Sequence, residues 1–305
     1  MFATLLAVVV ALVLGHLARD LTATLRHYGW FEGWLDWLHA RLGEDGAFGS
    51  RWGIALALLP PLLLVALLQW LLDGVLFGLP GLLFAVVVLF HAWGPRDLDR
   101  DVDDIVEAAD GDGRRAAAAA LWPEHRRDQA SLHPPALVGA VADAALRRWF
   151  GVLLWFLVLG AVGALLYRLA AVAAEDRVST RLPPPMVHGA RALLAALDWP
   201  AAQLVTLSLA LVGNFDVVLG AWKEAGGADL RLDTGFVAAA VRASVRSEIA
   251  DEAEEYAEAG VPPGSALVLE LGPLPELRDA MSLVWRSLLL WLAVIALFVI
   301  AGWVS

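Results

Sequence analysis

WFGVLLWFLVLGAVGALLY, Trp149 to Tyr167, is the stretch whose reading decides the fold. Nineteen uncharged residues stand between Arg147 and Arg148 on one side and Arg168 on the other. At the helical rise they span about 28 Å, close to the hydrocarbon thickness of a bilayer. Aromatic rings at both ends and flanking arginines are what a membrane–water boundary favours. The expectation is one straight transmembrane helix. Gly160 and Ala164 stand four residues apart within it, a small-residue pair through which a neighbouring helix can approach closely.

The rest of the chain agrees with a membrane setting. Of 305 residues, 59% are hydrophobic and 18% charged, an apolar share beyond that of a soluble domain. A net charge of −11 argues against nucleic acid as a partner, because phosphate binding needs a basic surface. With no cysteine, disulfides, thiolate nucleophiles and cysteine metal sites are closed.

Further apolar runs extend the pattern. Met1 to Leu14 is apolar apart from Thr4, and its arginine, Arg19, follows the apolar core where a signal peptide would place it before. A retained first helix is expected, with Arg19 on the cytoplasmic side. Leu21 to Leu42 sets Tyr28, Trp30, Phe31, Trp34, Leu35, Trp37 and Leu38 among charged residues at helical spacing, which predicts an amphipathic helix on the membrane surface. From Trp52 to Pro95 the sole charged side chain is Asp73, so this stretch must double back. Its first arm, Trp52 to Leu72, is expected to bend at Pro60 and Pro61. The second, Leu82 to Trp93, is short for a crossing. Ser287 to Ser305 is another nineteen-residue span.

Two segments are more polar. Residues 95–148 carry arginines that place them in the cytoplasm, as a helical hairpin. Their acidic runs DRDVDD and DGDG lack the closing Glu of a calcium loop and read as solvated faces and a turn. Residues 223–282 form a second helical segment, with one helix over Val237 to Glu258. Ala170 to Pro185 reads as a linker. Ala190 to Trp222 is too polar for a lipid-facing span and too apolar for water, so a helix buried among others is expected.

Signatures of phosphate loops, nucleophile elbows and zinc-binding His pairs are absent, Lys223 is the sole lysine, and no metal or cofactor is implied. The functional pointers are charged groups near the membrane plane: Arg147, Arg148, Arg168, Arg191, Asp198 and Asp216. An anionic small molecule is the expected ligand of Arg147, Arg148, Arg168, Arg191 and Asp198, since guanidinium groups make multidentate anion contacts. The same arginines serve equally as anchors on lipid phosphate.

The residues also carry a resemblance. RRWFGVLLWFLVLGAVGALLYRL (147–169), LFGLPGLL (76–83), GPRDLDRDV (94–102) leading to GDGRRA, and LDWPAAQLVTLSLALVGNF (197–215) together resemble the AmpE family, in the family's order. This resemblance implies a single membrane domain over residues 1–305, an all-α polytopic protein of the bacterial inner membrane with four to six embedded helices. It further implies a signalling role in peptidoglycan recycling and β-lactam response, with cell-wall recycling proteins as partners. A homo-oligomer is compatible with it. The AmpE family is in turn similar to the CobD/CbiB enzymes of cobalamin assembly, which join an aminopropanol to a corrinoid carboxylate. Where those enzymes place a Glu-Asn-polar-Asp stretch before the glycine-rich helix, this chain has Ala145, Leu146, Arg147, Arg148, Trp149 and Phe150. Their polar site residues therefore do not carry over. An amide-forming enzyme and a muropeptide transporter are the alternatives to a sensor.

Overall fold

The computed structural model describes residues 2–17, 28–43, 46–94, 97–258 and 274–301. Arg19, the first residues of the Leu21 to Leu42 stretch, the Gly260 to Pro263 turn and Trp303 lie outside the described residues. In chain order the helices are α1 (Phe2–Leu17), α2 (Gly29–Leu42), α3 (Gly53–Leu72), α4 (Leu79–Ala92), α5 (Leu98–Glu107), α6 (Gly111–Ala118) and α7 (Pro134–Ala145). There follow α8 (Gly151–Leu159), α9 (Ala161–Ala174), α10 (Asp176–Ser179), α11 (Pro184–Val212), α12 (Phe215–Glu224), α13 (Gly235–Glu258) and α14 (Pro275–Ile300). No strand occurs among the described residues, and the protein is an all-α membrane protein. Three helices, α3, α11 and α14, are long and apolar enough to cross a bilayer, while α4, α9 and the Thr4–Gly15 part of α1 are shorter apolar helices. On α3 the side chains of Leu59, Leu63, Leu64, Leu67 and Trp70 are all more than half exposed, a face that only lipid can accommodate.

The chain divides into two compact units. The first comprises Met1–Asp97, Arg147–Ala201 and Leu292–Ser305. In it α1 packs on α4, and α9 packs on both α3 and α4. Its core gathers Phe31, Leu35 and Leu38 of α2 with Ile54, Leu58, Leu165, Leu169 and Met186. The face of α2 that carries Phe31, Leu35 and Leu38 is thus turned into protein, which corrects the expectation that this aromatic-rich face lies in the membrane surface. Trp30, Trp37 and Leu42 of this helix stay about half exposed. Glu32, almost buried, explains why: it accepts a hydrogen bond from Arg177 and pairs with Arg181, which also reaches Asp36 at 3.1 Å.

Pro60 and Pro61 do not end α3. A proline removes the donor to the carbonyl four residues back, and for Pro61 that carbonyl is Ala57. The Trp34 indole of α2 donates to it at 2.9 Å, replacing the missing amide. Nor do Pro183 to Pro185 form a linker: Pro184 and Pro185 open the 29-residue α11, at the helix start where a proline lacks nothing and its fixed φ helps. Gly213 and Asn214 close that helix, and the Asn214 side chain caps α12 at Val217 N, 3.3 Å away.

The second unit comprises Leu98–Leu146 and Ala202–Trp291. Here α5 turns into α6 through Asp110, whose side chain accepts from Gly113 N at 2.6 Å. Arg114 then donates to the carbonyls of Ile105 and Ala108, satisfying the end of α5. The helix restarts at Gly111, because this cap makes the two glycines part of its first turn. Helix α7 packs along α13, and α12 packs on α13 as well. The acidic run of α5 is used structurally at Asp99, which accepts from the Trp285 indole at 2.7 Å.

Candidate functional site: an arginine cluster at the foot of a helical hairpin

The decisive stretch is not one straight helix. Residues Leu146–Phe150 form a π-turn, α8 ends at Leu159, and Gly160 adopts φ 66° and ψ −147°, a conformation that glycine alone enters without strain. The chain then folds back. A Cβ placed on Gly151 would fall within the Tyr167 ring, and one on Gly163 would strike the Trp155 carbonyl. These pairs, 151 with 167 and 155 with 163, share one register, that of antiparallel arms meeting at residue 159. The expectation of a single transmembrane span over Trp149 to Tyr167 is therefore corrected to a tight helical hairpin. Its first arm, Gly151–Leu159, is the last part of an unbroken helical run that begins at Pro134 and passes through the π-turn. The small-residue pair serves a different end: Gly160 makes the turn against the Gln69 side chain, while Ala164 is buried.

The fold-back brings the flanking arginines to the same end. On a straight helix Arg147 and Arg168 would stand about 32 Å apart. In the hairpin both converge on Asp198, which lies in α11 and is 2% exposed. Asp198 accepts a hydrogen bond from the Tyr167 hydroxyl at 2.5 Å and faces Arg147 Nε at 3.6 Å. Arg168, 4% exposed, lies within electrostatic reach of both Tyr167 and Asp198. Its Nε donates to the Ala92 carbonyl at 2.6 Å, which sets a cation on the carboxyl end of α4, where the helix dipole favours it. Its Nη2 is buried and has no hydrogen-bond partner among the described residues.

The remaining candidates are placed as follows. Arg148 runs its aliphatic stem over Gly94, where a Cβ would come within 2.7 Å of the Arg148 Cβ. Arg191 is exposed and lies two turns before Asp198 on α11, about 10 Å along the axis, so the fold does not bring it into the cluster. Asp216 is exposed in the first turn of α12. Tyr167 was missed as a site residue. In sequence it reads as an interfacial ring, and only the fold-back reveals it as the donor to Asp198.

The position of Asp198 depends on its own helix. Pro200 lies inside α11 and loosens the turn before it; there the Leu197 carbonyl accepts from the Trp155 indole of α8 at 3.0 Å. The first arm of the hairpin is thereby tied to the residue next to Asp198. Chemically, the cluster holds two guanidinium groups against one carboxylate, with an unmet donor on the buried one. Guanidinium groups in such an arrangement are chemically suited to hold an anion.

A family model described as regulatory signalling modulator protein AmpE matches residues 50–240, which include all five predicted site residues and Tyr167. The chain belongs to the AmpE family. It is also similar to a cobalamin biosynthesis protein CobD of Stutzerimonas stutzeri (strain A1501), 28% identical over 288 residues, covering 85% of this chain and 86% of that protein. No solved structure matches.

Proposed function

We propose that this AmpE-family chain is a sensory component of the bacterial inner membrane that responds to peptidoglycan recycling and to β-lactam stress. The family match across the hairpin and its arginine cluster carries this reading. The cluster suggests how a signal enters. Arg147 sits at the foot of α8 with its side chain 43% exposed, whereas Tyr167 sits at the foot of α9 and holds the other oxygen of Asp198. Asp198 thus joins the two arms. An anionic ligand that takes Arg147 competes with Asp198 for it, frees the first arm from the second, and leaves Gly160 as the hinge. The unmet Nη2 of Arg168 supports the same ligand class.

The test is charge-neutral replacement of Arg147 and Arg148 by glutamine. β-Lactamase induction in cells carrying the double variant is expected to lose its dependence on β-lactam, while membrane insertion, followed by fractionation, stays as in the parent. Loss of insertion with no separate effect on induction would reject the ligand role and leave the arginines as anchors.

A second reading follows from the CobD relative: a step of cobalamin biosynthesis, amide formation between a corrinoid carboxylate and aminopropanol phosphate. Purified protein given ATP, corrinoid and aminopropanol phosphate would form product under this reading and none under the first.

A further inference from the structure

Two arginines of the second unit, Arg242 and Arg246, line one cavity together. Arg114 is consumed by two carbonyls and Arg286 by both oxygens of Glu248. Arg242 and Arg246 make no hydrogen bond or ion pair among the described residues, although they sit four apart on α13 and so present like charges on one face. Both line a cavity of about 280 Å³ between α7, α13 and the first turn of α14, within this one unit. The walls between the charges are apolar: Pro134, Val138 and Ile249. Glu276 also lines it. This carboxylate has no cationic partner among the described residues and faces the like charge of Asp279 one turn on.

The backbone has been cleared for one of these groups. A Cβ on Gly139 of α7 would come within 2.6 Å of Arg242 Nη1 and 3.8 Å of its Cζ, so the tip of the guanidinium meets the helix at a glycine. A cation pair, a separate anion and an apolar wall between them define a ligand by complementarity. It carries a carboxylate or phosphate, a primary ammonium and an apolar body, and it is small, since the cavity is at the low end of ligand pockets. We propose that this pocket binds a small zwitterion, an unblocked amino acid or dipeptide with an apolar side chain. The anionic end bridges Arg242 and Arg246, the ammonium reaches Glu276, and the side chain lies on Pro134, Val138 and Ile249. The pocket lies within the second unit, and Arg242, Arg246 and Glu276 lie beyond residue 240, where the match to the AmpE family ends.

The probe is the dipeptide alanyl-leucine, titrated by calorimetry into the full chain in nanodiscs, with its N-acetylated and C-amidated forms alongside. Saturable binding of the free dipeptide is expected, weakened at least about tenfold by either blocking group, since each removes a charged hydrogen-bonding end. Glu276→Gln is expected to weaken the free dipeptide about tenfold and leave the N-acetylated form unchanged; Arg242→Gln with Arg246→Gln does the same for the amide. Gly139→Ala displaces only the tip of a flexible side chain, so it keeps the fold and loses affinity for the free carboxylate. Absence of saturable binding to the parent chain, or equal losses for blocked and unblocked forms, overturns the proposal. Aminophospholipid headgroups share the chemistry. Affinity for alanyl-leucine is expected to be the same in phosphatidylglycerol nanodiscs with and without phosphatidylethanolamine, and competition by the latter would assign the pocket to lipid instead.

Discussion

Asp198→Ala is expected to destabilise the protein by about 3–5 kcal/mol, because it removes the single carboxylate from a buried site and leaves positive charge behind. Arg168 is the group that suffers most: at 4% exposure it cannot turn to water. Tyr167, fully buried, loses the acceptor of its hydroxyl at the same time. Arg147 loses less, since its half-exposed side chain can be hydrated. The measurement is denaturant or thermal unfolding in detergent, with Asp198→Asn as the companion variant. Asparagine keeps an acceptor for Tyr167 and removes only the charge, so its loss should be the smaller. Equal losses would mean that the hydrogen bond is irrelevant and charge alone matters. A neutral outcome for alanine would show that the carboxylate does not hold the two arms together, and the proposed route from ligand to hairpin would fail with it.

Membrane character and the helical class are legible from the chain alone, and so are α3 and α14, because a long uncharged run has one cheap solution in lipid. The candidate residues were legible too, as charges near apolar segments; their pairing was not. Arg147 and Asp198 lie 51 positions apart, and no periodicity links them. Local rules misled where tertiary contacts supplied what they assume missing. Two prolines in α3 leave the helix unbroken because Trp34 fills the role of the lost amide at Ala57. The proline run before α11 read as a linker because its residues were counted as breakers and not as a first turn. The amphipathic stripe of α2 was real, but hydrophobic spacing does not say whether its partner is lipid or the rest of the unit. At the hairpin the sequence did contain a trace: Gly151 stands before the turn at the distance that matches the bulky Tyr167 on the opposite arm. Such a size complementarity becomes readable only once the fold-back is supposed.

The hairpin itself is open to a direct experiment with a large expected effect. Gly163→Val places a branched side chain where the Trp155 carbonyl already is, and a backbone atom within a helix cannot move aside as a flexible side chain can. A loss of about 3 kcal/mol or more is expected, beyond the usual cost of overpacking, with the arms forced apart. Stability alone would not distinguish a hairpin from a straight helix packed tightly on some other element, so a distance is needed as well. The chain has no cysteine, which makes a double-cysteine variant free of background. Val152→Cys with Leu166→Cys falls in the register set by the 151/167 and 155/163 pairs, and a short flexible bis-maleimide should join them within one chain. On a straight helix these positions lie about 21 Å apart along the axis and no such link forms. Introducing Gly163→Val into the cysteine pair should abolish the cross-link if the close approach of the arms depends on that glycine. The same geometry bears on topology. With a fold-back at Gly160, tags placed before Arg147 and after Arg168 are expected to report the same side of the membrane, whereas a straight span would separate them. The arms are packed in protein along their length, with Gly151, Val152, Leu153 and Phe156 of the first and most of the second buried, whereas Val158 and Leu159 beside the turn are exposed. Gly160 takes the turn without strain, and under the proposed mechanism the arms shift when the carboxylate that links them is released.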